Sequence, residues 1–153
     1  MNDRHIWVLD PGKTTGFVTY DRELDVFIPY ELNFKDTCSK LMTAPATNLE
    51  GGLLLAAEAF IITPQTAKNT QAPWSLELIG VTRMVSEVYL QKPLIIQQVA
   101  SAKRFSTDTR LKRMGWYSRG KGHANDASRH LLLLMATRGL LSQDILHEFA
   151  DLA

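Results

Sequence analysis

What this chain has little of narrows it first. It holds a single cysteine, Cys38, so no disulfide can form within it, and that usage fits a reducing compartment. No apolar run approaches the ~18 residues of a membrane span, and the first residues lack the apolar stretch of a secretory leader. The expectation is a cytoplasmic protein with no membrane contact. Net charge is nearly absent, at +1, and by itself points to no class of partner. Internal repeats, low-complexity tracts and linkers are missing too. At 153 residues, 45% of them hydrophobic and 22% charged, residues 1–153 read as one globular domain with a core of its own.

The charge that is present is unevenly placed. Residues 100–122 hold Lys103, Arg104, Arg110, Lys112, Arg113, Arg119 and Lys121 against Asp108 alone, so the rest of the chain is net acidic. Phe105, Trp116 and Tyr117 are interleaved with these cations, and Gly115, Gly120 and Gly122 keep the backbone adaptable. Cations neutralise phosphates and aromatics stack on exposed bases, so this segment is expected to bind nucleic acid. The plainer alternative is a solvated charged face.

Ile6-Trp7-Val8-Leu9 reads as a buried strand, and it ends in an acid, Asp10. A carboxylate there is costly unless a positive group sits on it. Pro11-Gly12 and Gly16 let the chain reverse, and residues 17–20 then read as a second, antiparallel strand. Asp-Pro-Gly is also ordinary turn chemistry. Gly12-Lys13-Thr14 is not a Walker A loop, because Trp7 stands where its first glycine belongs and a strand follows in place of a helix.

Residues 23–30 suggest a third strand and residues 34–42 a short helix ended by Pro45. Gly51-Gly52 opens Leu53-Leu54-Leu55-Ala56-Ala57-Glu58, a strand buried on both faces that again ends near an acid. On an exposed sheet edge, Glu58 would need no further explanation. Residues 63–72 read as a polar loop. Leu78, Val81, Val85 and Val88 recur at helical spacing over residues 73–89, and residues 94–99 form another strand. A long helix begins at His123-Ala124-Asn125-Asp126-Ala127 and stops at Arg138-Gly139; a short one capped by Ser142 spans residues 142–149. His123 and Asp126, three apart, share a face. Taken singly, His123 is an ordinary helix-start residue and Asp126 a complement to the helix dipole. His130 and His147 read as helix-surface residues.

Taken together, Asp10, Glu58 and Asp126 are oxygen donors of the kind Mg²⁺ or Mn²⁺ takes, with His123 a softer fourth. Converging carboxylates repel one another without a cation, and two ions would activate a water and stabilise the leaving oxygen of a phosphodiester.

Asp10-x-Gly12-x-x-x-Gly16 on a hairpin, Glu58 ending an apolar strand, and His123-x-x-Asp126-Ala127 opening a helix resemble the RuvC family of Holliday-junction resolvases, within the ribonuclease-H-like superfamily. The likeness runs over residues 6–135. It implies an α/β fold with a central mixed five-stranded sheet flanked by helices. It also implies an endonuclease that resolves branched DNA with two Mg²⁺ or Mn²⁺ ions, leaving 5′-phosphate and 3′-hydroxyl ends. Asp10, Glu58, His123 and Asp126 would bind metal and Lys103 would lie near the scissile phosphate. Phe60 or a neighbour would stand in for an aromatic that wedges into the junction, and Lys13 joins the cations that meet DNA. Many members carry Asp where this chain has His123, which bears on metal preference. The amphipathic helix of residues 73–89 would also serve a homodimer, whose two sites face two strands.

Other readings use the same residues: a ribonuclease-H-type or flap nuclease, or a junction-binding module that does not cut. The sugar-kinase and actin superfamily also places Asp-x-Gly on a hairpin, yet it needs two such domains and this length leaves room for one.

Overall fold

The computed structural model describes residues 2–46, 50–68 and 72–152. Its centre is β1 (His5–Asp10), whose side chains alternate strictly: Ile6 and Val8 enter one apolar cluster, Trp7 and Leu9 another. A strand buried on both faces needs partners on both edges. β2 (Thr14–Asp21) pairs with it antiparallel, with Asp10 opposite Gly16, and β3 (Val26–Asn33) pairs antiparallel with β2. On the other edge β4 (Leu53–Glu58) runs parallel to β1, and β5 (Ile95–Gln97) parallel to β4. The order is β3-β2-β1-β4-β5, a mixed five-stranded sheet.

Six helices accompany it among the described residues: α1 (Phe34–Ala46), α2 (Ala72–Arg83), α3 (Val99–Phe105), α4 (Asp108–Met114), α5 (Gly122–Thr137) and α6 (Gln143–Asp151). One face of the sheet, with Ile6, Val8, Val18, Leu54 and Ala56, packs on Leu131 and Leu134 of α5 and Phe149 of α6. The opposite face, with Trp7, Leu9, Phe17 and Leu55, packs on Leu41 of α1 and on Val85, just beyond α2. Burial of both faces explains the uninterrupted apolar runs of β1 and β4. None of the described helices is long and apolar enough to cross a membrane.

Several boundaries differ from the sequence reading. The third strand begins later, because Asp21 Oδ1 accepts the N–H groups of Glu23 (3.0 Å) and Leu24 (3.1 Å) and makes residues 22–25 a turn. The strand then continues through Glu31. α1 runs past Pro45, which sits in its last turn, and Asn33 Oδ1 caps its start by accepting Asp36 N–H at 2.8 Å. Met84–Tyr89 continues α2 as a π-helix. The wider turn rotates the apolar face, so Val88, expected inside, is 65% exposed while Ser86 is buried. The polar loop is described as far as residue 68 and contains a 3₁₀ turn, Thr66–Lys68; residues 69–71 lie outside the described residues. Ser142 caps α6 as expected, accepting Ile145 N–H at 3.3 Å.

Candidate functional site

Three parallel strands end side by side, at Asp10 of β1, Glu58 of β4 and Gln97 of β5. Asp10 and Glu58 have the parity of the residues that face α5, so their carboxyls emerge on the side where that helix lies. β4 lies between β1 and β5, so Glu58 is not on a sheet edge.

α5 reaches the hairpin because Gly16 has no side chain. A Cβ built there would stand 1.8 Å from the His123 carbonyl oxygen and 2.3 Å from its carbon. Glu31, opposite Gly16 on β3, places Oε1 3.0 Å from His123 N and 3.3 Å from Ala124 N. It thus accepts N–H groups that a helix start leaves without intrahelical partners, and its charge suits that end of the dipole. Asn125 ties the preceding loop to the helix: its Oδ1 accepts Ser118 N–H at 2.8 Å and its Nδ2 donates to Ser118 O at 2.9 Å.

So positioned, His123 Nδ1 lies 3.2 Å from Asp10 Oδ2, the imidazole half exposed and the carboxyl 13% exposed. Two turns further along the same helix face, seven residues on, stands His130. It is 1% exposed, with Nε2 2.8 Å from Glu58 Oε2 and Nδ1 3.1 Å from Gln97 Oε1. The reading of His130 as a surface residue is corrected here; His147 is exposed as expected. The interval from His123 through Asp126 to His130 was a signal, since a run of i, i+3, i+7 marks one helical face. Glu31 was missed as well, because its strand was read as ending before it.

Asp126 meets Arg129, whose Nη1 is 3.5 Å from Asp126 Oδ1 and which also pairs with Asp108 of α4. Ser106 Oγ donates to the Arg129 carbonyl at 2.7 Å, fixing that turn of α5 against the end of α3.

The electrostatics register a surplus of negative charge. Burial above all, together with the charges of Glu58 and Asp126 and against the hydrogen bond from His123, lifts the Asp10 carboxyl from its ordinary 3.8 to about 7. Among the described residues, no three His, Cys, Asp or Glu side chains are gathered closely enough to hold one ion. The four expected ligands therefore stand as Asp10 with His123, Glu58 with His130, and Asp126 with Arg129. In donor type and charge they fit a hard divalent cation.

Removing the His130 ring leaves a half-buried carboxylate without its donor. His130→Leu is expected to cost on the order of 1–3 kcal/mol in denaturant unfolding, with His130→Gln recovering part of it.

The basic segment is helical where no period was read: Thr107 caps α4 and Gly115 ends it at φ 74°. That fold divides its side chains. Trp116 is 4% exposed, stacked on Phe27 with centroids 5.2 Å apart and edge-on to Tyr20, so it has no face for a base. Arg110 lies over the rings of Phe105 and Phe149 and donates to their carbonyls at 2.7 and 2.8 Å. Trp116 is a core member and the half-buried Arg110 is engaged within the fold, which corrects their assignment to nucleic acid. Arg110→Ala is accordingly expected to cost about 1–3 kcal/mol in thermal or denaturant unfolding and to leave nucleic-acid affinity within about twofold. Arg113 is paired with Glu148, and Lys112 Nζ sits 4.7 Å from the centre of the Tyr117 ring. Lys13, Lys103, Arg104, Arg119 and Lys121 are exposed, and Phe60 is half buried.

No family model matches this chain. None of the curated proteins matches it either. In structure it is similar to T. thermophilus RuvC, solved in complex with a Holliday junction substrate, at a TM-score of 0.56 and 12% identity, over 90% of this chain and 97% of that one. The likeness establishes the α/β, ribonuclease-H-like fold.

Proposed function

We propose that this chain is a metal-dependent endonuclease that cuts branched DNA, four-way junctions foremost, and acts as a homodimer. One observation carries the reading. At one end of a ribonuclease-H-like sheet, burial first, and then the neighbouring charges of Glu58 and Asp126, hold the Asp10 carboxyl near 7. Cation binding relieves such repulsion. Asp10, Glu58, His123 and Asp126 would hold Mg²⁺ or Mn²⁺, two ions per site. Bound metal supplies an activated water and charge stabilisation at the leaving oxygen. Around it, Lys103 neutralises the phosphate being cut, Lys13, Arg104, Lys112, Arg119 and Lys121 hold its neighbours, and Phe60 supports the opened branch. The bound Holliday junction of the T. thermophilus protein supports the substrate class.

A second reading, junction binding without cutting, draws on the Arg129 contact to Asp126 and on the donors standing apart. Labelled four-way junction, linear duplex, flap and RNA–DNA hybrid, each incubated with Mg²⁺ or Mn²⁺, separate the possibilities. Paired symmetric nicks in the junction, with 5′-phosphate ends and lost in Asp126→Asn, are expected. Preferential cutting of flap or hybrid changes the substrate and keeps the metal site. Tight junction binding with no cutting by either protein leaves the binding module.

A further inference from the structure

Beside the hairpin turn, on the opposite side of the sheet from α5, a cleft of about 360 Å³ is lined by Lys13, Asn33, Phe34, Lys35 and Trp74. Its floor is aromatic: Phe34 and Trp74 meet edge to face with centroids 5.3 Å apart, and both are half buried. Its rim is cationic, since Lys13 and Lys35 are exposed and no carboxylate lines the cleft. Neither ammonium has an ion-pair partner among the described residues. Asn33 adds an amide, although its Oδ1 is engaged in capping α1.

The cleft is also tied to the candidate site. Lys13 belongs to the turn that follows Asp10. Ser75, buried and next to Trp74, donates its hydroxyl to the Pro11 carbonyl at 2.8 Å. The start of α2 and the turn that carries Asp10 are thereby one piece, and a ligand in the cleft is held at a fixed offset from the acids.

An aromatic floor with two ammonium groups at its mouth, of a size that small ligands occupy, matches one nucleotide: base against the rings, phosphate between the lysines. We infer that this cleft takes an unstacked nucleotide from the branch of the DNA and so positions the strand that crosses Asp10. The inference rests on the nuclease reading for its substrate, and beyond Lys13 it names contacts that reading does not contain, at Phe34, Lys35 and Trp74.

Tryptophan emission tests it directly. Trp7 and Trp116 are 7% and 4% exposed, so Trp74 is the one tryptophan open to a ligand. A four-way junction of synthetic oligonucleotides, labelled with a visible dye, is titrated with the protein in EDTA so that nothing is cut. Dye anisotropy and protein emission are followed together. The expected result is quenching that saturates with the anisotropy. Trp74→Leu is expected to weaken junction binding about tenfold, and Lys35→Ala several-fold. Trp74→Phe should restore affinity without restoring the quench.

Junction binding that leaves the emission unchanged, or that Trp74→Leu does not weaken, overturns the cleft assignment and leaves the nuclease reading standing. Quenching that grows with protein concentration in the absence of DNA gives the cleft to a second copy of the chain and overturns it too. Absence of binding to any DNA removes both.

Discussion

Asp10→Asn is expected to abolish cleavage, by roughly a thousandfold or more, and at the same time to stabilise the metal-free protein at pH 8. The two effects have one cause. The Asp10 carboxyl, with an ordinary value of 3.8 and a folded value of about 7, holds its proton more tightly in the native state than in the unfolded chain. Its contribution to native stability is therefore fullest below pH 4, is lost as pH rises to about 7, and stays absent above. A difference of that size corresponds to on the order of 4 kcal/mol at most, and one to three is the realistic gain for an isosteric amide that keeps a contact to His123. Urea unfolding of both proteins in EDTA between pH 4 and 8.5 checks it. The stability gap should open through the interval and level off above 7. Added Mn²⁺ should close it, by stabilising the wild type alone. A gap that is flat with pH would show that Asp10 is not held in a buried and repulsive surrounding.

Gly16→Ala has the largest structural effect in prospect. Gly16 does not have a positive φ, so backbone strain plays no part. The cost is contact alone, because the new methyl would occupy the position of the His123 carbonyl. Backbone cannot swing aside as a side-chain tip does, so α5 must retreat. A loss on the order of 3 kcal/mol is expected, about 6–12 °C in Tm, together with loss of the Asp10–His123 contact. Gly80, in α2, is the control: nothing lies within 4 Å of a Cβ there, and Gly80→Ala should stabilise by about 0.5–1 kcal/mol. Thermal melts of both variants decide it. A Gly16→Ala protein that melts like the wild type would mean that α5 does not press on the hairpin in solution.

Much of this arrangement was legible in the residues. The short apolar run Ile6–Leu9, bounded by Pro11-Gly12, gave β1, and an acid closing each of two buried strands marked where side chains would converge. The errors have a common origin: side-chain type was read without the face it occupies. Trp116 among cations looked like a stacking surface, yet Thr107 as cap and Gly115 as stop enclose a short helix that delivers it to Phe27 and Tyr20. Arg110 counted as a free charge, while its guanidinium is spent on two carbonyls and two rings. His130 was discounted for standing on a helix, though the face was the one already chosen by His123 and Asp126. Val88 fits a 3.6-residue period, and the π-helical stretch breaks that period without any residue announcing it.

The Asp10–His123 contact joins residues 113 positions apart. During synthesis the chain emerges from its amino end, and until residues 122–137 have been made it holds Asp10 and Glu58 with no α5 to complete them. β1 cannot pair with β4 until the intervening segment has folded back, so non-local closure governs how quickly the site matures. A nascent or truncated chain therefore has no complete set of acids to bring to nucleic acid. The activity proposed here is withheld until α5 has been made, and no inhibitor is needed to do it.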